Sequence, residues 1–242
     1  MFQHKLEDQV SRKTYIDWFI LSFLAGSINT GGFLASHRFV SHVTGYATLA
    51  GISFEQMDWY GFAMTLIIPA AFMAGVMFSA YLTEKQFAHY RHGQKYAPVM
   101  QIVAFLLLVV ALGGFFGFFG EFGANTDLKN DYLLSAILCM ACGLQNGAIT
   151  MSSGATVRTT HLTGLTTDLG LGLVRAEITA KNPEQKQKER RSNKLRMGTV
   201  ASFTAGAIIG AFAFINFKFA GFLLPASIAL YFSYVARTTQ SE

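Results

Sequence analysis

Six apolar stretches alternate with polar segments along the chain, and each is long enough for a helix that crosses a lipid bilayer. A crossing helix needs about 20 residues, because it rises about 1.5 Å per residue through a hydrocarbon layer about 30 Å thick. The stretches lack the alternation of a barrel strand, so helices are the structure that satisfies their backbone in lipid. The predicted crossings are 15–34, 60–82, 97–119, 132–151, 197–217 and 219–236, with a tight turn near Lys218 between the last two.

The composition also indicates a membrane rather than water as the solvent. Hydrophobic residues make up 52% of the 242 residues and charged residues only 14%, whereas about a quarter of a soluble domain is charged. The first apolar stretch is too long for the core of a signal peptide and lacks a clear cleavage site. It is therefore interpreted as an uncleaved membrane helix.

Lysine and arginine are distributed unevenly between the two sides that six crossings define. Sixteen of the 19 fall on the side of the N-terminus, and the other three are Arg38, Lys129 and Lys218. Basic residues accumulate on the cytoplasmic side of membrane proteins, so we expect both termini in the cytoplasm. The basic stretch 175–196 has no aromatic residue for base stacking, which favours anionic lipid over nucleic acid as its neighbour.

One polar, glycine-bearing segment occurs twice. Its first copy is residues 41–51 (SHVTGYATLAG), and its second copy is residues 160–170 (THLTGLTTDLG), 119 positions later. Just upstream, residues 25–29 (AGSIN) match residues 142–146 (CGLQN) at an offset of 117. Each half of the chain contains three crossings, and an odd repeat unit must be inserted upside down relative to its twin.

The predicted fold class is therefore an all-α membrane protein with six transmembrane helices as two inverted three-helix repeats, each with a short re-entrant or broken-helix segment. The predicted parts are a cytoplasmic N-terminal segment (1–14), the first repeat (15–119), an outer linker (120–131), the second repeat (132–236) with a basic cytoplasmic loop (175–196), and a cytoplasmic tail (237–242).

In each copy of the repeated segment, an irregular polar limb precedes an apolar stretch that is too short to span. We interpret each copy as a re-entrant hairpin whose short helix starts at an N-cap threonine, Thr44 or Thr163, followed by Gly45 or Gly164. Helix N-termini carry partial positive charge, so two of them meeting near the bilayer centre would favour an anion. The alternative is that both segments lie flat at the two interfaces.

The repeated histidines His42 and His161 have three interpretations. Imidazole titrates near neutral pH, so the rings could carry protons. They could also bind a metal, although two histidines alone make a poor site and no carboxylate is duplicated with them. In the third interpretation each ring hydrogen-bonds a backbone carbonyl that the broken helix leaves free.

Five further polar residues are candidates for the site. Asn29, Gln145 and Asn146 lie within apolar crossings, where they contact substrate or tie helices together. Arg158 is placed to attract an anion from the cytoplasm. Asp168 has no twin in the first copy and is either a functional acid or a surface residue.

Small residues in the crossings are interpreted as packing devices. The glycine pairs Gly143/Gly147 and Gly206/Gly210 have the spacing that lets two membrane helices approach closely. Cys139 and Cys142 lie in an apolar helix without further metal ligands, so the same role is expected of them.

The residues in and near both copies of the repeated segment resemble the motifs of the YoaK-like bacterial membrane family, a group defined as a domain of unknown function. One departure is Tyr46, where the family's motif usually continues with Asn. The resemblance implies an integral protein of the bacterial inner membrane and no established substrate. It covers residues 16–234 and rests on residues 40–45 (VSHVTG), 143–146 (GLQN), 157–164 (VRTTHLTG) and 167–170 (TDLG).

The leading hypothesis is a small membrane transporter or facilitator of a small solute, an anion being the best-suited class, with the site between the two repeated segments. The alternative is a non-transporting membrane scaffold or assembly factor. The chain is not expected to be an enzyme, because residues 152–154 (SSG) lack the context of a nucleophile elbow. The expected partners are the bilayer and a small-molecule or ion substrate, with a homo-oligomer left open; no cofactor, metal or nucleic acid is expected.

Overall fold

The computed structural model describes residues 12–86, 88–89, 94–124, 128–153 and 158–238. Every regular element in these ranges is helical, so the all-α prediction is confirmed for this part of the chain. Most of the predicted N-terminal segment (1–14) and of the tail (237–242) lies outside the described residues.

Eight α-helices follow one another, with short π or 3₁₀ turns at some of their ends. Their bounds are α1 Arg12–Ser36, α2 Val43–Glu55, α3 Trp59–Tyr81, α4 Ala97–Phe115, α5 Leu128–Ser152, α6 Leu162–Val174, α7 Pro183–Phe217 and α8 Leu223–Thr238. The π turns are Leu82–Gln86 and Arg175–Thr179, and the 3₁₀ turns are Gln94–Tyr96 and Lys218–Phe222.

Several of these helices are suited to a bilayer. Five helical stretches among the described residues are long and apolar enough to cross one, which supports a multi-pass membrane protein. They are Lys13–Ser36, Trp59–Gln86, Ala97–Phe115, Lys129–Ser152 and Pro183–Thr238. The prediction of six crossings arranged as two inverted repeats stays a prediction.

The fifth stretch contains both α7 and α8, and the chain turns between them. Lys218 has a φ of +51°, which ends α7, and the ring centroids of Phe214 and Phe222 lie 4.6 Å apart. A straight helix would carry residues eight positions apart about 12 Å away from each other. The tight turn that the sequence predicts near Lys218 is therefore present.

The basic stretch 175–196, expected as a loop, is helical over most of its length. Pro183 occupies the first turn of α7, and Asn182 Oδ1 accepts a hydrogen bond from the Gln185 N–H (2.8 Å). A capping asparagine followed by proline is a strong helix start. This local start signal makes α7 begin well before the apolar stretch 197–217.

Two pairs of helices run parallel and approach closely at glycines. α1 packs along α7, and α3 packs along α5. The contacts that fix these directions are Phe19 with Gly198 and Ser27 with Gly210 in the first pair, and Phe72 with Gly143 and Ser79 with Gly147 in the second.

The α1–α7 pair runs antiparallel to the α3–α5 pair, and α4 runs antiparallel to α8. α1 is antiparallel to α5, because hydrogen bonds join the end of each helix to the beginning of the other. The bonds are Ser36 Oγ with Ser135 Oγ (2.9 Å) and Gln145 Nε2 to the Leu21 carbonyl (2.7 Å) between α1 and α5, and Arg237 Nη2 to Gln101 Oε1 (2.8 Å) between α8 and α4.

The apolar core lies where these helices meet. Trp18, Leu107, Leu138, Phe214 and Phe222 are the large side chains at its centre, and each is at most 1% exposed. Much apolar surface remains outside this core: many large hydrophobic side chains on the outer faces of the long helices are about half exposed or more. This is the surface that a membrane helix presents to lipid.

Candidate functional site

The residues after α1 turn back into the helix bundle. Ser41 donates two hydrogen bonds to Asn29 Oδ1, one from its N–H (3.3 Å) and one from its hydroxyl (2.9 Å). The thiol of Cys139, near the middle of α5, donates to the Val40 carbonyl (3.0 Å). Asn29 lies two turns before the end of α1 at Ser36, about 10 Å back along the helix axis. α2 therefore begins deep within the bundle.

α2 and α6 both begin at the repeated motif, but the predicted N-caps Thr44 and Thr163 are wrong. His42 and His161 occupy the N-cap positions, and neither side chain makes a capping hydrogen bond. A preferred N-cap residue contributes only about 1 kcal/mol. In the first copy the bonds from Ser41 fix where the chain turns, and they outweigh this preference. Each threonine is therefore the second helical residue.

The first turns of α2 and α6 lack the acceptors that interior helical residues have. The N–H groups of the first helical residues have no carbonyl one turn earlier, and they lend a helix N-terminus its partial positive charge. In both helices no side chain supplies the missing acceptor at the N-cap. The two helix starts are thus free to bind a negatively charged or polar group.

A cavity of about 1020 Å³ lies between the two copies of the repeated segment. Both copies contribute the limb before the short helix and the first turn of that helix, while α3 and α5 form further walls. The lining residues are His37, Arg38, Phe39, Ser41, His42, Val43, Thr44, Gly45, Tyr46 and Leu49 from the first copy and the residues just before it; Arg158, Thr160, His161, Leu162 and Thr163 from the second copy and the residues just before it; Phe72, Val76, Ala80 and Glu84 along α3 and its π turn; and Asn146, Gly147, Thr150 and Met151 from α5.

The cavity follows one face of α3 to the end of that helix. Phe72, Val76, Ala80 and Glu84 line it at every fourth position. This spacing keeps side chains on one helix face and covers about 18 Å along the axis. Glu84 is exposed, so the cavity leads from the interior of the bundle to an end that water can reach.

The charge around the cavity is mainly positive. Arg38 and Arg158 line it, and Glu84 is the one carboxylate among the described lining residues. Arg38 donates to the Ser36 carbonyl (2.9 Å), and its guanidinium lies 4.1 Å above the ring of Tyr132. Arg158 is exposed. The arrangement therefore favours an anion over a cation.

Two polar atoms of lining residues are buried without a partner in the described part of the protein. They are the hydroxyl oxygen of Tyr46 and Oδ1 of Asn146. A buried polar atom without a hydrogen bond costs free energy, about 1–3 kcal/mol. A polar solute in the cavity is one way to satisfy such atoms.

The structure brings seven of the eleven predicted site residues to the cavity. They are His42, Thr44, Gly45, Asn146, Arg158, His161 and Thr163. The other four, Asn29, Gln145, Gly164 and Asp168, do not line it.

Those four residues have other surroundings. Asn29 holds Ser41, and the fully buried Gln145 ties α5 to the Leu21 carbonyl of α1. Gly164 packs against the imidazole of His161, the N-cap residue of the same helix. Asp168 is an exposed residue of α6, which agrees with the surface interpretation.

The cavity histidines are positioned by stacking and packing. The ring of His42 stacks on Phe39 (5.1 Å between centroids), which in turn stacks on Phe33 (4.5 Å). Within the described residues neither His42 nor His161 hydrogen-bonds a backbone carbonyl; His37 does so instead, through Nε2 to Gly123 (3.0 Å). No group of three or more metal-ligand side chains occurs in this part of the chain.

Sequence reasoning did not select most of the lining residues, and the polar or aromatic ones among them include His37, Arg38, Phe39, Tyr46 and Glu84. His37, Arg38 and Phe39 precede the first motif by only a few positions, so the irregular limb itself was the available signal. Glu84 lies after an apolar crossing and offers no local signal. Its place follows from the π turn that prolongs α3 and from the way α3 packs along α5.

Comparison with known protein families identifies a match over most of the chain. A family described as "Protein of unknown function (DUF1275)" matches residues 18–236, a range that includes both copies of the repeated segment. No curated protein matches the chain. No solved structure matches it either. The family match extends over nearly the whole chain, and the protein therefore belongs to this DUF1275 family.

Proposed function

We propose that the protein is a small membrane transporter or facilitator of a small anionic solute, bound in the cavity between the two repeated segments. The observation that carries this proposal is that the first turns of α2 and α6, 119 positions apart in sequence, line the same cavity of about 1020 Å³. A cavity of this size accommodates a small molecule.

The opposite directions of corresponding helices support the transport part of the proposal. Many secondary transporters place their site at the interface of two inverted halves, near broken helices. Here α1 runs antiparallel to its counterpart α5, and α4 runs antiparallel to its counterpart α8. In this proposal the halves rock about the cavity and expose it to one side of the membrane at a time.

The chemistry of the cavity supports an anion. The free N–H groups at the starts of α2 and α6 and the hydroxyls of Thr44 and Thr163 would hold a carboxylate or similar group. Arg158 would attract the anion toward the cavity. Glu84, near the exposed end, would repel a solute with two negative charges more strongly than a solute with one. The unpaired hydroxyl of Tyr46 would donate a hydrogen bond to the bound solute.

The proposal places this site in a membrane protein that uses no nucleotide. The YoaK-like resemblance implies a protein of the bacterial inner membrane, and the distribution of basic residues favours both termini in the cytoplasm. No nucleotide-binding motif occurs in the sequence, so an ion gradient or simple equilibration would drive the flux. The proposal includes no enzymatic step and no metal.

The test is to fill the cavity without disturbing the fold. A Cβ added to Gly45 meets no atom within 4 Å, and Gly45 lines the cavity. We expect Gly45→Leu to lower anion flux into proteoliposomes at least tenfold, because the new side chain occupies the path. Flux of a panel of small carboxylates, inorganic anions and cations would be measured by a solid-supported membrane current or by radiolabel uptake.

Gly51 provides the matched control. It lies in the same helix, has the same open space around an added Cβ, and does not line the cavity. We expect Gly51→Leu to keep the flux of the unaltered protein. Equal loss in both variants, or a folded protein that carries none of the panel, would contradict the proposal and favour the scaffold alternative.

A further inference from the structure

A second cavity, of about 470 Å³, lies between α7 and the π turn that follows α6. It shares no lining residue with the central cavity. Basic side chains of α7, among them Arg191 and Lys194, form one wall, and the apolar side chains of Leu173 and Met197 lie beside them. Basic and apolar groups thus meet at one site.

The acid in this cavity is already paired. Arg190 donates to both oxygens of Glu177 (2.9 and 3.1 Å), and Lys186 Nζ lies 3.1 Å from the same carboxylate. The hydrogen bonds from Arg190 and then Lys186 lower the pKa of Glu177, so it stays ionised at neutral pH. Within the described residues Arg191 and Lys194 have no ion pair, and their charge remains uncompensated.

Asn193 adds a buried hydrogen-bond donor to the same wall. Its Oδ1 accepts from Arg196 Nη1 (2.9 Å), and since arginine only donates, the amide orientation is fixed. Nδ2 is therefore the free end. It is buried without a partner in the described part of the protein, and Asn193 as a whole is only 5% exposed. An acceptor bound in the cavity would satisfy it.

The position of the cavity along α7 matches the headgroup depth of a bilayer. The apolar stretch of α7 starts at Met197, and the basic residues lie in the turns just before it. Leu173 and Met197 are 49% and 51% exposed, and nearby Ile178 is 77% exposed. Apolar side chains this exposed beside a basic cluster are suited to lipid chains below and phosphates above.

We propose that this cavity binds the phosphate of an anionic membrane lipid. Arg191 and Lys194 neutralise the phosphate, the Asn193 Nδ2 donates to one of its oxygens, and an acyl chain lies along Leu173 and Met197. The lipid would tie α7 to the turn after α6, and thereby hold the second short helix in place. This inference does not depend on the proposed transport function.

Lipid binding by the purified full-length protein tests the proposal. Native mass spectrometry would count bound phosphatidylglycerol against phosphatidylcholine added to the same detergent. We expect retention of phosphatidylglycerol, and a loss of affinity of about fivefold for each of Arg191→Gln and Lys194→Gln, as for one basic residue beside an anionic headgroup. The matched control is Arg175→Gln with Lys181→Gln, which removes two exposed charges that do not line the cavity.

Two further measurements, the Asn193→Leu variant and competition with inorganic phosphate, separate a lipid site from general charge attraction. Asn193→Leu removes the donor at nearly constant volume and charge, and we expect it to weaken phosphatidylglycerol binding several-fold while the circular dichroism spectrum is kept. Should Asn193→Leu not fold, the exposed Arg191→Gln variant still decides the matter. Equal loss in the control pair, equal retention of phosphatidylcholine, or full displacement by inorganic phosphate would overturn the assignment to an anionic lipid.

Discussion

Asn29 shows how a residue without access to the cavity shapes the site. Its side-chain oxygen holds both the N–H and the hydroxyl of Ser41, the residue just before the N-cap of α2. Both residues are at most 7% exposed, and the amide oxygen is the acceptor that these two donors share. The start of α2, and with it one half of the cavity, therefore depends on this contact.

We expect Asn29→Leu to destabilise the protein by about 1–3 kcal/mol, because it leaves buried donors of Ser41 unpaired. Thermal unfolding in detergent measures the change. The control is Asn216→Leu, since the exposed Asn216 bonds only a carbonyl of its own helix, that of Phe212 (2.7 Å). Similar shifts of the unfolding temperature in the two variants would contradict a special role for Asn29.

Most of the site residues that the sequence predicted were marked by duplication, and Arg158 is an exception. His42, Thr44 and Gly45 recur at His161, Thr163 and Gly164, and five of these six line the cavity. Tyr46 and Glu84 have no such mark: their place depends on how α2 and α3 pack, which a single sequence does not encode locally. The N-cap of α2 was misplaced for the same reason, since a tertiary contact fixes where α2 begins.

At the scale of elements, four glycines set how closely the long helices approach. A Cβ on Gly26 would meet the carbonyl of Phe203, and a Cβ on Gly143 would meet that of Phe72. The partner helices carry matching glycines: Gly206 of α7 faces the carbonyl of Phe23 in α1, and Gly75 of α3 faces that of Met140 in α5. The same contact thus occurs twice, once in the α1–α7 pair and once in the α3–α5 pair. The packing role that the sequence predicts for Gly143 and Gly206 is confirmed.

We expect Gly26→Ala and Gly143→Ala each to destabilise the protein by about 1–3 kcal/mol, because backbone atoms cannot move aside as a flexible side chain can. Gly170→Ala should leave stability equal or raise it by up to about 1 kcal/mol, since its Cβ meets nothing within 4 Å and alanine favours helix. Unfolding midpoints of the three variants compare the two classes of glycine. A stable Gly26→Ala variant would contradict the packing role.

The extent of the helices was less predictable than their existence. Hydropathy located the apolar stretches, because the cost of burying polar groups in lipid is large and local. It did not show that α7 continues through the basic residues from Pro183, since charged residues are good helix formers that hydropathy ignores. Hydropathy marked α2 and α6 only as apolar stretches too short to span, and the deep start of α2 depends on long-range contacts such as the one between Cys139 and Val40.

At the scale of the whole molecule, the directions of the helices set the sides on which the connecting turns lie. α2 connects to α3 near Gln56, and α6 connects to α7 near Lys181. Because α1 and α5 are antiparallel, they end toward opposite ends of the bundle, and the starts of α2 and α6 nevertheless line one cavity. The inverted-repeat proposal therefore requires the two turns to lie on opposite sides of the membrane.

Cysteine labelling in cells measures this arrangement. The background carries Cys139→Ser, which keeps a donor for the Val40 carbonyl, and Cys142→Ala. Gln56 and Lys181 are both exposed, so a single cysteine at either position is accessible to a reagent on its own side. We expect Gln56→Cys to react with a membrane-impermeant maleimide in intact cells, and Lys181→Cys to react only after permeabilisation, because 16 of 19 basic residues mark the Lys181 side as cytoplasmic. Reaction of both from the same side would place the two short helices in one leaflet, and a cavity shared by opposed helix ends would then have no basis.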